Sequence, residues 1–98
     1  MSLPIRLLPE AKAEFDAAAD WYEGKWRGLG LDFVRRVREV LIRIAANPRL
    51  HAKVYREVRK AIVRRFPYVV LYQEEVDEVL IVSIFHTARD PSAWKSRV

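Results

Sequence analysis

The spacing of apolar residues changes period along this chain, and the changes divide it into elements. Leu3, Ile5 and Leu7 alternate with Pro4 and Arg6, a two-residue period that predicts a short strand. The proline places that strand at a sheet edge or makes it a strand start. Pro9 then opens a helix at a position with no intrahelical bond to lose, and Glu10 sets a carboxylate near the positive end of the helix dipole. Ala11, Phe15, Ala18, Tyr22 and Trp26 recur at helical spacing, while Lys12, Glu14, Asp16, Asp20 and Glu23 fall largely elsewhere on the wheel. One face of this helix is expected in the core, and Trp21, Tyr22 and Trp26 mostly with it. Gly28 and Gly30 break the pattern. A second helix follows, with Phe33, Val37, Val40 or Leu41, and Ile44 inward and Arg35, Arg36, Glu39 and Arg43 mostly outward. Asn47-Pro48 ends it.

Strand periodicity then returns. Three further strands are expected at about Val54 to Phe66, Tyr68 to Gln73 and Val79 to His86. The last two are β-branched, aromatic runs joined by the acidic link Glu74-Glu75-Val76-Asp77-Glu78, so they read as an antiparallel hairpin. The run from Val79 to Phe85 is broken only by Ser83, which predicts a central strand covered on both faces. Tyr68 and Tyr72 share one strand face and are expected against the helices. Asp90 is a candidate N-cap and Pro91 a candidate first residue for a final turn carrying Trp94, read as a plug over the sheet edge. The expected fold is α+β: an N-terminal strand, a two-helix hairpin and a three-stranded antiparallel meander forming one sheet covered by the helices, with a short C-terminal helical turn.

Composition narrows the function. The 98 residues are expected to form a single domain, 1–98, large enough to bury roughly 65% of its unfolded surface without a metal or disulfide. Cysteine is absent, which removes thiolate nucleophiles and thiolate zinc sites and suits a reducing, cytoplasmic setting. No run approaches the ~20 apolar residues that cross a bilayer, and no secretory signal opens the chain, so neither membrane nor export is expected. The net charge of +5 is concentrated. Arg49, Lys53, Arg56, Arg59, Lys60, Arg64 and Arg65 oppose the single acid Glu57, a stripe suited to a polyanion or an acidic protein segment.

The order strand, helix hairpin, meander resembles the RelE/ParE family of toxins from type II toxin-antitoxin (plasmid stabilisation) pairs. The resemblance is carried most specifically by Arg65-Phe66-Pro67-Tyr68 running to Tyr72, and by His86-x-x-Arg89-Asp90-Pro91-x-x-Trp94 after the last strand. It implies a toxin held by a cognate antitoxin in a toxin–antitoxin hetero-oligomer, with DNA gyrase or the ribosome and its mRNA as target. No cofactor or metal is implied.

Two mechanisms are open within that resemblance. A ribosome-dependent endoribonuclease needs an acid or base at the ribose 2′-hydroxyl and cations over the phosphorane. His86 would be the acid or base, because histidine ordinarily changes charge near neutral pH. Arg65 and Arg89 would be the cations. Similar ribonucleases carry an arginine directly after the tyrosine of the second meander strand, where this chain has Val69, and basic residues after the last strand, where it has Thr87 and Ala88. Trp94 stands near the place of a functional aromatic but has no ionisable hydroxyl. A gyrase poison acts by binding and needs no such set, so a ParE-like gyrase inhibitor is the leading expectation and a non-enzyme is favoured. Arg56, Arg59, Arg65 and Trp26 are the expected antitoxin contacts, with aromatics and arginines typical of interface centres. A nucleic-acid-binding module, in which the same arginines hold phosphates, ranks below both.

Overall fold

Five strands make one mixed sheet, and the helix hairpin lies across one of its faces. The computed structural model describes residues 2–98. In chain order the elements are β1 (Ile5–Leu7), α1 (Pro9–Lys25), α2 (Leu29–Ala46), β2 (Lys53–Tyr55), β3 (Val58–Val63), β4 (Tyr68–Glu74), β5 (Val79–His86) and α3 (Ser92–Lys95). The strand order is β1-β5-β4-β3-β2. β1 is parallel to β5, and the remaining pairs are antiparallel. The class is the expected α+β.

The strand count differs from expectation. The segment from Val54 to Phe66 is two strands, because a tight turn at Arg56-Glu57 folds Lys53–Tyr55 back on Val58–Val63. Arg56 takes φ 51 there, a left-handed conformation usually signalled by Gly or Asn. Phe66 lies in the following turn, where Arg65 also has positive φ, at 69.

β5 is an interior strand, paired on both sides and buried from Val79 to Phe85. Alternation along the sheet, reset by a β-bulge in β5 between Ile81 and Ser83, sends Val70, Tyr72, Ile81 and Ile84 toward the helices, where Ala11, Ala18, Phe33, Val37 and Ile44 meet them. Val58, Val69, Leu71, Val82 and Phe85 form a second cluster with Trp94. Trp94 therefore plugs the sheet face opposite the helix hairpin, not the sheet edge. Truncating a tryptophan so buried typically costs about 3 to 5 kcal/mol. Asp90 Oδ1 accepts from the Ser92 amide at 3.0 Å, but α3 begins one residue later than expected, at Ser92, with Pro91 as its N-cap.

Two readings of the hairpin are corrected. The helical stripe stops at Lys25, and Trp26 has extended backbone (φ −157, ψ 129), so its side chain leaves the buried face and stands 75% exposed. Trp21, beside Tyr22 but about 100° away round the helix, is also exposed. Gly30 is not a breaker: it lies in the first turn of α2 and is buried. A Cβ there would come within 2.5 Å of the Ala19 carbonyl oxygen, so the two helices touch backbone to backbone. Gly28, with φ 88, supplies the left-handed turn. The Glu23 carboxylate accepts from the amides of Gly28 (2.9 Å) and Gly30 (3.0 Å), donors that helix geometry leaves without partners.

Candidate functional site

A belt of connected grooves runs from the seam between α1 and the sheet, around the end of the sheet, to the tip of the helix hairpin. Its most apolar section, about 540 Å³, is walled by Ala17, Ala18, Trp21 and Tyr22 of α1 and by Tyr68, Ile84, His86 and Arg89. Tyr22 and Pro67 continue into a second section with Arg65, Phe66 and Arg36. Leu29 and Asp32 carry that one to the tip, where Trp26, Arg27, Leu31 and Arg35 close the belt. Helical spacing on α1 and α2 supplies one wall, and the turn held by Arg65 supplies the other.

The three expected ribonuclease residues do not converge. His86 and Arg89 line the first section, whereas Arg65 lines the second. The His86 ring packs edge-on to Tyr68 at 5.1 Å, and its Nδ1 accepts from the Ala88 amide at 3.0 Å. Arg89 lies over the Phe85 ring at 4.8 Å and donates from Nη1 to Glu14 Oε2 at 2.8 Å. The same carboxylate also binds Arg97, so Arg89 is anchored there but not neutralised. Burial of Tyr22 and Tyr68 pushes both phenols up, which keeps them as neutral hydrogen-bonding groups.

Glu14, Ser83 and Arg97 are the polar residues that sequence reading missed. Glu14 Oε1 accepts from Ser83 Oγ at 2.8 Å, and both Glu14 oxygens receive Arg97. Burial alone would push the Glu14 carboxyl up, but hydrogen bonds from Arg97, Ser83 and Arg89 together hold it below the usual 4.5. The one sequence signal was Ser83, the lone polar residue of an apolar strand, and nothing in spacing connects it to residues 14 and 97.

The expected antitoxin contacts are dispersed. Arg56 Nη1 donates to the Val98 carbonyl at 3.2 Å, and Arg59 Nη1 donates to the His51 carbonyl at 2.6 Å. Arg59 pairs in register with Tyr72 and His86 with Tyr68, which sets them roughly 13 Å apart along β4. Arg49 and Lys53 of the basic stripe are ion-paired to Glu74 (3.0 Å) and Glu57 (2.8 Å). On the opposite sheet face, Val69, Leu71, Phe85 and Trp94 floor a shallow groove of about 280 Å³, with Lys60 and Lys95 on its rim. Val69 belongs to that apolar floor. Among the described residues no group of His, Asp and Glu is placed to hold a metal ion, and no helix is long and apolar enough to cross a membrane.

The chain matches the family described as "ParE toxin of type II toxin-antitoxin system, parDE" over residues 5–91. A solved structure titled "Chromosomal ParDE TA system from P. aeruginosa" is similar at a TM-score of 0.73 and 20% identity, covering 87% of this chain and 96% of that one. At that identity the likeness is one of fold. No curated protein matches the sequence. With the family matched across nearly every element from β1 to the residues before α3, the chain belongs to the ParE toxin family of type II toxin-antitoxin systems.

Proposed function

We propose that residues 1–98 form one toxin domain that acts in the cytoplasm by binding DNA gyrase, and that a cognate antitoxin neutralises it in a hetero-oligomer. The observation that carries this reading is the state of Arg89: it lines the same groove as His86, yet its guanidinium is bound by Glu14. A guanidinium held at Glu14 has a donor committed away from a phosphorane, and Arg65, the second expected cation, lines a different section of the belt. The position of Val69 in an apolar floor supports the same reading, because a binding toxin needs shape and contact there instead of a reacting group.

The antitoxin is assigned to the two sections of the belt that run from α1 to the turn at Arg65. A segment that is disordered when free can cover such a long surface as it folds onto it. Arg65 stands in the middle of the belt and has no ion pair among the described residues. Arg56 and Arg59 add positive potential from the far edge of the sheet and attract an acidic segment at a distance.

The test is a pair of assays on the purified chain, with and without the product of the adjacent small reading frame. Gyrase supercoiling is expected to be inhibited, equally by the His86→Ala variant, and relieved by the antitoxin. Cleavage of ribosome-bound message that disappears in His86→Ala would overturn this reading in favour of a ribonuclease.

A further inference from the structure

The tip of the helix hairpin carries side chains that the fold does not use. Trp26 is 75% exposed and Leu31 53% exposed, and away from the tip, about 16 Å along α2 from Leu31, Ile42 is 69% exposed. Leu31, Arg35, Arg38 and Ile42 follow one another at spacings of four, three and four, so they form a single outward stripe on α2 that begins beside Trp26. Exposed apolar residues scattered singly need no explanation, but Trp26 and Leu31 line one groove with Arg27 and Arg35, and Arg38 follows Arg35 one turn on. Arg27 and Arg38 have no ion pair among the described residues.

The tip is also rigid. Glu23 holds the amides of Gly28 and Gly30, the Leu29 amide donates to the Trp26 carbonyl at 3.0 Å, and Gly30 lets the helices touch. A large aromatic fixed on such a turn loses little conformational freedom on binding, which is the property of an interface anchor.

We infer that Trp26 and Leu31, flanked by Arg27, Arg35 and Arg38, are the surface that docks the target, a folded protein presenting an apolar socket rimmed by carboxylates. The inference rests on the gyrase reading above and moves Trp26 from the antitoxin to the target. Charge complementarity selects this occupant. Arg27 and Arg38, the two arginines without an ion pair among the described residues, suit a few carboxylates around a socket but not the row of phosphates that a nucleic acid presents, and a lipid surface would gain only a narrow apolar line.

The experiment compares wild type with Trp26→Ala/Leu31→Ala and with Arg27→Glu/Arg38→Glu in gyrase inhibition, antitoxin affinity and thermal unfolding. All four positions are exposed, so unchanged unfolding midpoints are expected. Each double variant is expected to need about tenfold or more protein for the same inhibition, with antitoxin affinity within about twofold of wild type. Inhibition equal to wild type would overturn the surface and leave the gyrase reading standing. Parallel loss of antitoxin affinity would return the tip to the antitoxin. Self-association or DNA binding of the wild type that the variants abolish would assign it to a second copy or to nucleic acid. A wild-type chain without effect on gyrase would overturn both the reading and the surface.

Discussion

Glu14 on α1 and Arg97, 83 residues later, meet as a bidentate ion pair, Oε1 accepting from Nη1 at 2.9 Å and Oε2 from Nη2 at 3.1 Å. Both side chains are only 13% exposed. Arg97 Nη1 donates as well to the Val82 carbonyl at 3.1 Å. Val82 is the residue of β5 just past Ile81, the last to pair with β1, so the guanidinium supplies a donor where the neighbouring strand has ended. The pair thereby ties the segment after α3, and the Trp94 plug it follows, to the first helix.

The pair is expected to be strongly coupled. Removing one partner leaves the other desolvated and unanswered, so Glu14→Gln and Arg97→Met should each cost about 2 to 4 kcal/mol in denaturant unfolding. Together they should cost little more than either alone, with a coupling of about 2 to 3 kcal/mol. A Glu14→Gln loss below about 0.5 kcal/mol, the level of an exposed pair, would refute the role given to this contact.

The same carboxylate sets an acid limit. Its folded-state pKa lies below the usual 4.5, so the stabilisation is complete above the unfolded-state value and is lost as pH falls through the lower folded one. Wild-type stability should therefore fall more steeply than that of Glu14→Gln between about pH 4.5 and the onset of acid unfolding. Parallel acid limbs for the two proteins would show that Glu14 contributes no such linkage.

What was legible in the chain was what periodicity governs. Phe33, Val37 and Ile44 on α2, the burial of Val79 to Phe85, and Tyr68 and Tyr72 against the helices all follow from a repeat of 3.6 or 2 read against an apolar core. The turn at Arg56-Glu57 was not legible, because a left-handed arginine carries no composition signal and β2 has only three residues. Trp26 was misplaced because one residue of extended backbone at the helix end redirects its side chain. The Glu14–Arg97–Ser83–Arg89 cluster was invisible for a different reason: it is made by three-dimensional juxtaposition of α1, β5 and the chain's last residues.

Two glycines of the hairpin should respond in opposite senses to the same substitution. Gly24→Ala places a methyl in open space within α1 and replaces the poorer helix former, so a gain of about 0.5 to 1 kcal/mol is expected. Gly30→Ala would put its Cβ 2.5 Å from the Ala19 carbonyl oxygen and 2.9 Å from Glu23 Cβ. Neither neighbour is the flexible end of a side chain, so α1 and α2 must separate, and a loss of about 2 to 3 kcal/mol should outweigh the propensity gain. Thermal unfolding of the two variants side by side decides it, and a stabilised Gly30→Ala would contradict the close helix contact.

Arg65 and Arg59 separate binding from folding. Arg65 sits in the belt at φ 69 without an ion pair among the described residues, whereas Arg59 holds the His51 carbonyl at 2.6 Å beside the Tyr72–Pro48 hydrogen bond of 2.8 Å. Arg65→Gly should therefore stabilise the fold by about 0.5 to 1 kcal/mol by relieving the left-handed backbone, and Arg59→Ala should destabilise it by about 1 to 2 kcal/mol. Against the antitoxin, Arg65→Glu is expected to weaken affinity most at low ionic strength, with the difference shrinking as the Debye length falls from ~30 Å at 0.01 M to ~3 Å at 1 M salt. Binding isotherms across that salt range test the charge contribution without relying on fold stability. If Arg65→Glu binds the antitoxin as wild type does at 0.01 M salt, the belt is not where the acidic segment lies.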